Sequence, residues 1–136
     1  EEITADIEAA GAKIEQLTGK RPTMFRAPSG AYNDTVLETA RGLGYEVIQW
    51  DVDSIDWKDP AAEKIVSRVI SKVGPGSICL FHAGKDNTLE ALPQTLEQLS
   101  GQGYTFVPAG ELVYPAPYTI DRNGRQHPEQ NLVSSQ

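Results

Sequence analysis

Three short stretches hold the residues of this sequence best equipped for hydrolysis: Phe25-Arg26-Ala27-Pro28-Ser29-Gly30, Asp51-Val52-Asp53-Ser54-Ile55-Asp56-Trp57 and Leu80-Phe81-His82. Each falls where a predicted strand ends. In α/β enzymes the chemistry collects at the C-terminal ends of successive strands, so three such ends point to one cleft. Asp51, Asp53 and Asp56 would repel one another in a dry cleft, so at least one needs a cation, a metal or solvent. Strand alternation puts Asp51 and Asp53 on one side. It delivers Asp56 and Trp57 just past the strand end, where a substrate wall would lie, although Asp53-Ser54 also fits plain turn capping. Arg26, at the end of the neighbouring strand, is the natural guanidinium to pair with a carboxylate there. His82 is either a packed residue or a general acid, the latter if an adjacent carboxylate holds its imidazolium form. Trp57 is either a packed aromatic or a pocket wall.

A regular alternation of elements has to position these stretches. Ile3, Ile7, Ala10, Ile14 and Leu17 recur at helical spacing, and Gly19 and Pro22 stop that helix. Residues 24–27 read as a short strand, Asn33 as the cap of a helix carrying Val36, Leu37, Ala40 and Leu43, and residues 46–50 as the next strand. Asp59-Pro60 reads as a cap with proline at the first helical position, opening a helix with Ile65, Val66, Val69, Ile70 and Val73 on one side and ended by Gly74-Pro75-Gly76. Residues 78–81 form the third predicted strand, Leu89, Leu92, Leu96 and Leu99 mark a fourth helix, and residues 105–107 a last strand. Gly44-Tyr45 and Gly103-Tyr104 repeat the same helix-end, strand-start signature two αβ units apart, which capping chemistry alone can produce. From Tyr114 onward, prolines and Asn123-Gly124 break the periodicity, and residues 131–136 read as a loose tail.

Composition narrows the classes. The 136 residues suffice for one domain and are few for a complete closed barrel. A net charge of −7 repels a phosphate backbone, which argues against a nucleic-acid partner. No apolar run approaches the ~18 residues of a membrane span, and the first residues lack the basic region of a signal peptide, so the chain reads as soluble. The single Cys79 has no disulfide partner and sits in an apolar run, which reads as a buried thiol.

Arg26-Ala27-Pro28-Ser29-Gly30, then Asp53-Ser54-Ile55-Asp56-Trp57, then Leu80-Phe81-His82 with Asn87-Thr88-Leu89-Glu90-Ala91-Leu92-Pro93, resemble the third, fourth and fifth motifs of the polysaccharide deacetylases with a NodB-type domain, carbohydrate esterase family 4. The resemblance runs across residues 1–113, the expected C-terminal portion of the catalytic domain; residues 114–136 are expected to be an irregular tail. It implies an α/β chain forming part of an irregular (β/α) barrel. It also implies an enzyme removing N-acetyl groups from a GlcNAc-containing polymer, peptidoglycan favoured over chitin, in an extracellular or cell-envelope setting.

By that resemblance His82 is the acid that protonates the leaving amine, Asp56 tunes it, and Arg26 braces the catalytic base. The backbone N–H of Ser29 holds the acetyl oxygen beside Gly30, Trp57 and Leu80 wall the pocket of the acetyl methyl, and Asp53 joins the substrate-binding set. The family's Thr-Phe-Asp-Asp and His-x-x-x-His motifs have no counterpart here, and Ser29 stands where an aromatic is usual. A divalent metal, zinc favoured, is therefore expected to take its ligands from a missing N-terminal portion, with none in this chain, which alone is expected to be inactive. The expected partners are a polysaccharide substrate and either that missing portion or a second copy of this chain. Two other readings compete: a non-catalytic carbohydrate-binding or degenerate deacetylase domain, and a glycosidase. The last needs two carboxylates ~5 to 9.5 Å apart and leaves His82 and Arg26 unexplained.

Overall fold

A computed structural model describes residues 1–129, which form two compact units, Glu1–Gln49 and a second beginning at Trp50. The segment 131–136, read as a tail, lies outside the described residues.

In the first unit the helical spacing of the isoleucines produces α1 (Glu2–Thr18), which buries Ile7 and Gly11. Gly11 is required by sterics, because a Cβ there would meet the Tyr45 hydroxyl oxygen. β1 (Met24–Phe25) pairs in parallel with β2 (Glu46–Val47), in the register Met24 with Glu46 and Phe25 with Val47. Between them α2 (Asp34–Gly42) starts at Asn33, whose side chain accepts from the Val36 N–H at 3.0 Å and so occupies a donor the first helical turn leaves free. Ile7, Ala40 and Tyr45 form the core, flanked by Ile3, Phe25, Leu43 and Val47.

The second unit is built on β3 (Val52–Asp53) and β4 (Cys79–Leu80), again parallel, with α3 (Ala62–Ile70) and α4 (Asp86–Gly101) packed together. Ala62, Ile65, Val66 and Ala91 form its core, joined by Ile70 and Phe81. The Gly-Tyr echo is capping chemistry. Gly44 and Gly103 adopt φ of 85° and 90°, and the Tyr45 and Tyr104 N–H groups donate to Ala40 and Leu99, each 3.0 Å away. Only a residue at ease with positive φ closes a helix this way.

Several sequence expectations are corrected. Asp59 does not cap α3: it adopts φ 55° and closes a 3-10 turn, Asp56–Lys58, its N–H donating to the Asp56 carbonyl at 2.8 Å, and α3 begins at Ala62 without a side-chain cap. The buried stripe of α4 is Thr88, Ala91, Thr95 and Leu99, whereas Leu89, Leu92 and Leu96 are exposed. Against α3, small residues permit close approach, so the leucine periodicity marked a neighbouring face. Leu92, Leu96 and Leu99 line an apolar groove of about 330 Å³ together with Phe106 and Val107. Residues 105–107 form no ladder among the described residues, and Phe106 and Val107 are exposed. Finally, the stretch read as irregular holds a short α5 (Ala109–Leu112) before it and a hairpin within it, β5 (Tyr118–Ile120) against β6 (Gln126–Pro128). Asp121 shapes the hairpin turn by accepting the Asn123 and Arg125 N–H groups.

Candidate active site

Each of the three aspartates finds its own donors, which is how the sequence tolerates them so close together. Asp51 ties down the loop before β4: its Oδ1 accepts the Ile78 N–H at 2.7 Å and its Oδ2 the Ser77 hydroxyl at 2.8 Å. Asp53 accepts the Ile55 N–H at 2.8 Å, the side-chain turn expected of Asp-Ser, and its carbonyl accepts Arg68 Nε at 2.8 Å. That turn puts Ile55 at φ 57°. Two left-handed non-glycine residues, Ile55 and Asp59, thus flank the turn carrying Asp56, a strained conformation that surrounding bonds must impose.

Those bonds converge on Asp56, whose side chain is 0% exposed. Its Oδ2 accepts the His82 backbone N–H at 2.7 Å and the Thr88 hydroxyl at 2.8 Å, and its Oδ1 lies 2.7 Å from His82 Nδ1. Its own N–H donates to the Ser54 hydroxyl oxygen at 3.2 Å. Burial pushes the Asp56 carboxyl up. The His82 backbone N–H, the His82 ring and the Thr88 and Ser54 hydroxyls outweigh it and hold the carboxyl below its ordinary 3.8. Asp56 is therefore ionised at neutral pH. Because an ionised carboxylate only accepts, the proton of the facing ring nitrogen resides on Nδ1. The ring as a whole is 42% exposed, leaving Nε2 as the nitrogen with no role in this pair.

Leu80 lies beside Asp53 in the β3–β4 register and is half-buried. Trp57 is 51% exposed, with the Lys58 ammonium 5.0 Å from its ring centroid. Half-buried Cys79 has its thiol pushed up by burial and then by the negative charge of Asp51, the condition of an unreactive thiol. Arg26, Ser29 and Gly30 belong to the first unit. Arg26 is exposed and follows β1, and Ser29 sits in a tight Pro28–Gly30 turn at φ 55°, ψ 11°. Gln49 Nε2 donates to the Gly30 carbonyl at 3.0 Å.

The structure thus joins His82 to Asp56 and sets Leu80 beside Asp53. It adds Thr88, Ser54 and Gln49, which the sequence reading did not assign. Thr88 lay inside a quoted motif. Its signal was its place in a small-residue stripe, Thr88, Ala91 and Thr95, on α4. No three His, Cys, Asp or Glu side chains among the described residues stand close enough together to hold a metal ion.

Parallel strand pairs alternating with helices, with a histidine held on a buried aspartate just past β4, define an α/β protein. Residues 1–48 match the polysaccharide deacetylase family. The chain is 38% identical over 108 residues to a peptidoglycan-N-acetylglucosamine deacetylase of Bacillus cereus, an alignment covering 76% of this chain and 51% of that protein. Among solved structures it resembles the peptidoglycan deacetylase PdaC of Bacillus subtilis, with TM-score 0.71, 31% identity, and coverage of 81% of this chain and 55% of the other. It also resembles a carbohydrate esterase family 4 pseudoenzyme from Bacillus anthracis, with TM-score 0.73, 35% identity, and coverage of 75% and 36%. The chain belongs to the polysaccharide deacetylases of carbohydrate esterase family 4, and its fold is part of their irregular (β/α) barrel. It spans about half the length of the Bacillus cereus relative.

Proposed function

We propose that this chain supplies the acid and oxyanion half of an enzyme that hydrolyses N-acetyl groups from a GlcNAc-containing polymer, peptidoglycan in the first instance. The observation that carries the reading is the His82–Asp56 pair: a buried, ionised carboxylate fixes Nδ1 of a ring that is itself open to solvent. Amide hydrolysis adds water to the acetyl carbon and expels an amine, a poor leaving group unless protonated as the C–N bond breaks. His82 Nε2 delivers that proton. Acetate leaves with the water oxygen, and the sugar amine keeps the proton. The Ser29 N–H stabilises the negative charge that develops on the acetyl oxygen. Trp57 and Leu80 exclude water around the acetyl methyl, Asp53 stands on the substrate side, and Arg26 braces the carboxylate that acts as base.

The family implies a divalent metal, zinc in our reading, which would activate the attacking water. Its ligands belong to parts of the protein other than this chain, so each step above is confined to residues present here. The reading places the enzyme in the cell envelope or outside the cell. Among the described residues no helix is long and apolar enough to cross a membrane.

A second reading, a degenerate deacetylase that binds glycan without cleaving it, is favoured by the likeness to the Bacillus anthracis pseudoenzyme. Acetate release from acetylated GlcNAc oligomers and peptidoglycan, measured on the full-length protein, separates the two. The deacetylase releases acetate and loses this ability in His82→Ala, whereas retention of glycan without release selects the degenerate reading.

A further inference from the structure

We propose that Gln49 is a positioning residue for the turn that presents the Ser29 N–H. The inference rests on the reading above that this N–H receives the developing oxyanion. Within the Pro28–Gly30 turn the Gly30 N–H donates to Ala27 at 2.9 Å and the Ala31 N–H to Pro28 at 3.1 Å. The Ser29 N–H has no acceptor among the described residues. Two successive left-handed residues, Ser29 at φ 55° and Gly30 at φ 68°, hold it in this state. An N–H kept free by a strained turn has the form of an oxyanion donor.

The bonds inside the turn do not anchor it to the sheet. Gln49 does so: it lies two residues past β2, next to Ile48, whose N–H donates to the Phe25 carbonyl at 2.9 Å, and its amide reaches the Gly30 carbonyl at 3.0 Å. Only the amide nitrogen can donate to a carbonyl, so the side chain has one possible orientation. That orientation leaves Oε1 buried with no partner among the described residues. As a stability device the residue is poor, because one bond gained is set against one acceptor left unsatisfied. Its gain lies in fixing the Gly30 peptide, and with it the Ser29 N–H, relative to the strands.

The test uses Gln49→Met, which keeps the length and removes both polar atoms, and Gln49→Glu, which keeps an acceptor but cannot donate at neutral pH, both in the full-length protein. Amide hydrogen exchange at Gly30 and Ala31, the bonded amides of the turn, should accelerate at least about tenfold in both. With acetylated GlcNAc oligomers, kcat should fall about tenfold at unchanged KM and unchanged melting temperature, a fraction of the loss expected when an oxyanion donor is removed outright. Unaltered exchange with unaltered kcat overturns the proposal, as does a kcat loss that merely tracks a loss of folded protein. If the wild-type protein releases no acetate at all, the deacetylase reading fails, and the exchange measurement alone upholds or overturns the clamp.

Discussion

The second unit holds two histidine–aspartate pairs, and their comparison shows that pairing alone does not make a catalytic group. His82 meets Asp56 through Nδ1 at 2.7 Å, and His127 meets Asp121 through Nε2 at 3.0 Å. Both carboxyls are held below their ordinary range. For Asp121 the His127 ring is the leading cause, followed by the Arg125 and Asn123 N–H groups of the hairpin turn. For Asp56 burial comes first and opposes ionisation, so four donors must overcome it. The buried carboxylate is thereby immobilised by Thr88 and by the His82 backbone itself, and its histidine cannot reorient without breaking that network. Asp121 is 32% exposed and its partner more so, a setting in which solvent and salt compete with the contact.

The largest expected effect breaks the comparison outright. In the full-length protein His82→Ala should lower acetate release by about 10²–10⁴-fold, the range of a general acid, while His127→Ala leaves it unchanged. Equal losses from the two substitutions would refute the distinction. Asp56→Asn comes next. Removing the carboxylate takes away the acceptor that fixes Nδ1 of the ring, so kcat should fall at least about tenfold, and the buried network should lose about 1–3 kcal/mol. A kcat per folded molecule equal to wild type would separate Asp56 from the proton transfer.

A smaller effect concerns acid stability. The folded Asp56 carboxyl lies below its unfolded value of 3.8, so between the two the unfolded chain binds more protons, and stability rises with pH across that window. The contribution is complete above about 3.8 and is lost as pH falls through the folded value. Asp121 acts with the same sign, but its exposed pair should fade in high salt while the slope due to Asp56 persists. Denaturation midpoints recorded from pH 5 downward at two salt concentrations check this, and a slope that survives intact in Asp56→Asn contradicts it.

How much of this was legible in the sequence depends on whether the deciding interactions are local. α1, α2, the Asn33 cap and the two Gly-Tyr helix ends follow from residues within one turn of each other, and the structure reproduces them. Asp59-Pro60 carried an equally good local cap signal. It lost because the Asp56–Lys58 turn closes on the Asp59 N–H and the Asn87 amide, 28 residues away, meets its carboxylate, with Asp59 in a left-handed conformation that is not that of a cap. The leucine stripe of α4 misled for the same reason: burial against α3 selects small residues, and periodicity alone does not say which apolar face meets which partner. At the site, carboxylates and a histidine at strand ends were visible as chemical types. That Asp51 secures a loop while Asp56 receives the His82 and Thr88 donors depends on contacts 26 to 32 residues away, which spacing does not encode.

The smallest effect concerns Trp57, four residues past β3, and asks whether the buried pair serves an open pocket. A wholly buried aromatic truncated to alanine costs roughly 3–5 kcal/mol by cavity formation. Trp57 is 51% exposed and stacks on Lys58, so Trp57→Ala should forfeit mainly that contact, about 0.5–1 kcal/mol at an exposed site. Ile65→Ala, in the core against α4, should by contrast cost roughly 2–5 kcal/mol. As a wall for the acetyl methyl, Trp57 instead contributes to turnover, and its loss should reduce kcat/KM for acetylated oligomers about tenfold, the scale of one lost apolar contact. Calorimetry and kinetics on the same variant distinguish the roles. A melting temperature lowered as far as that of Ile65→Ala, with normal kcat/KM per folded molecule, would assign Trp57 to packing and leave Leu80 as the apolar side of the site.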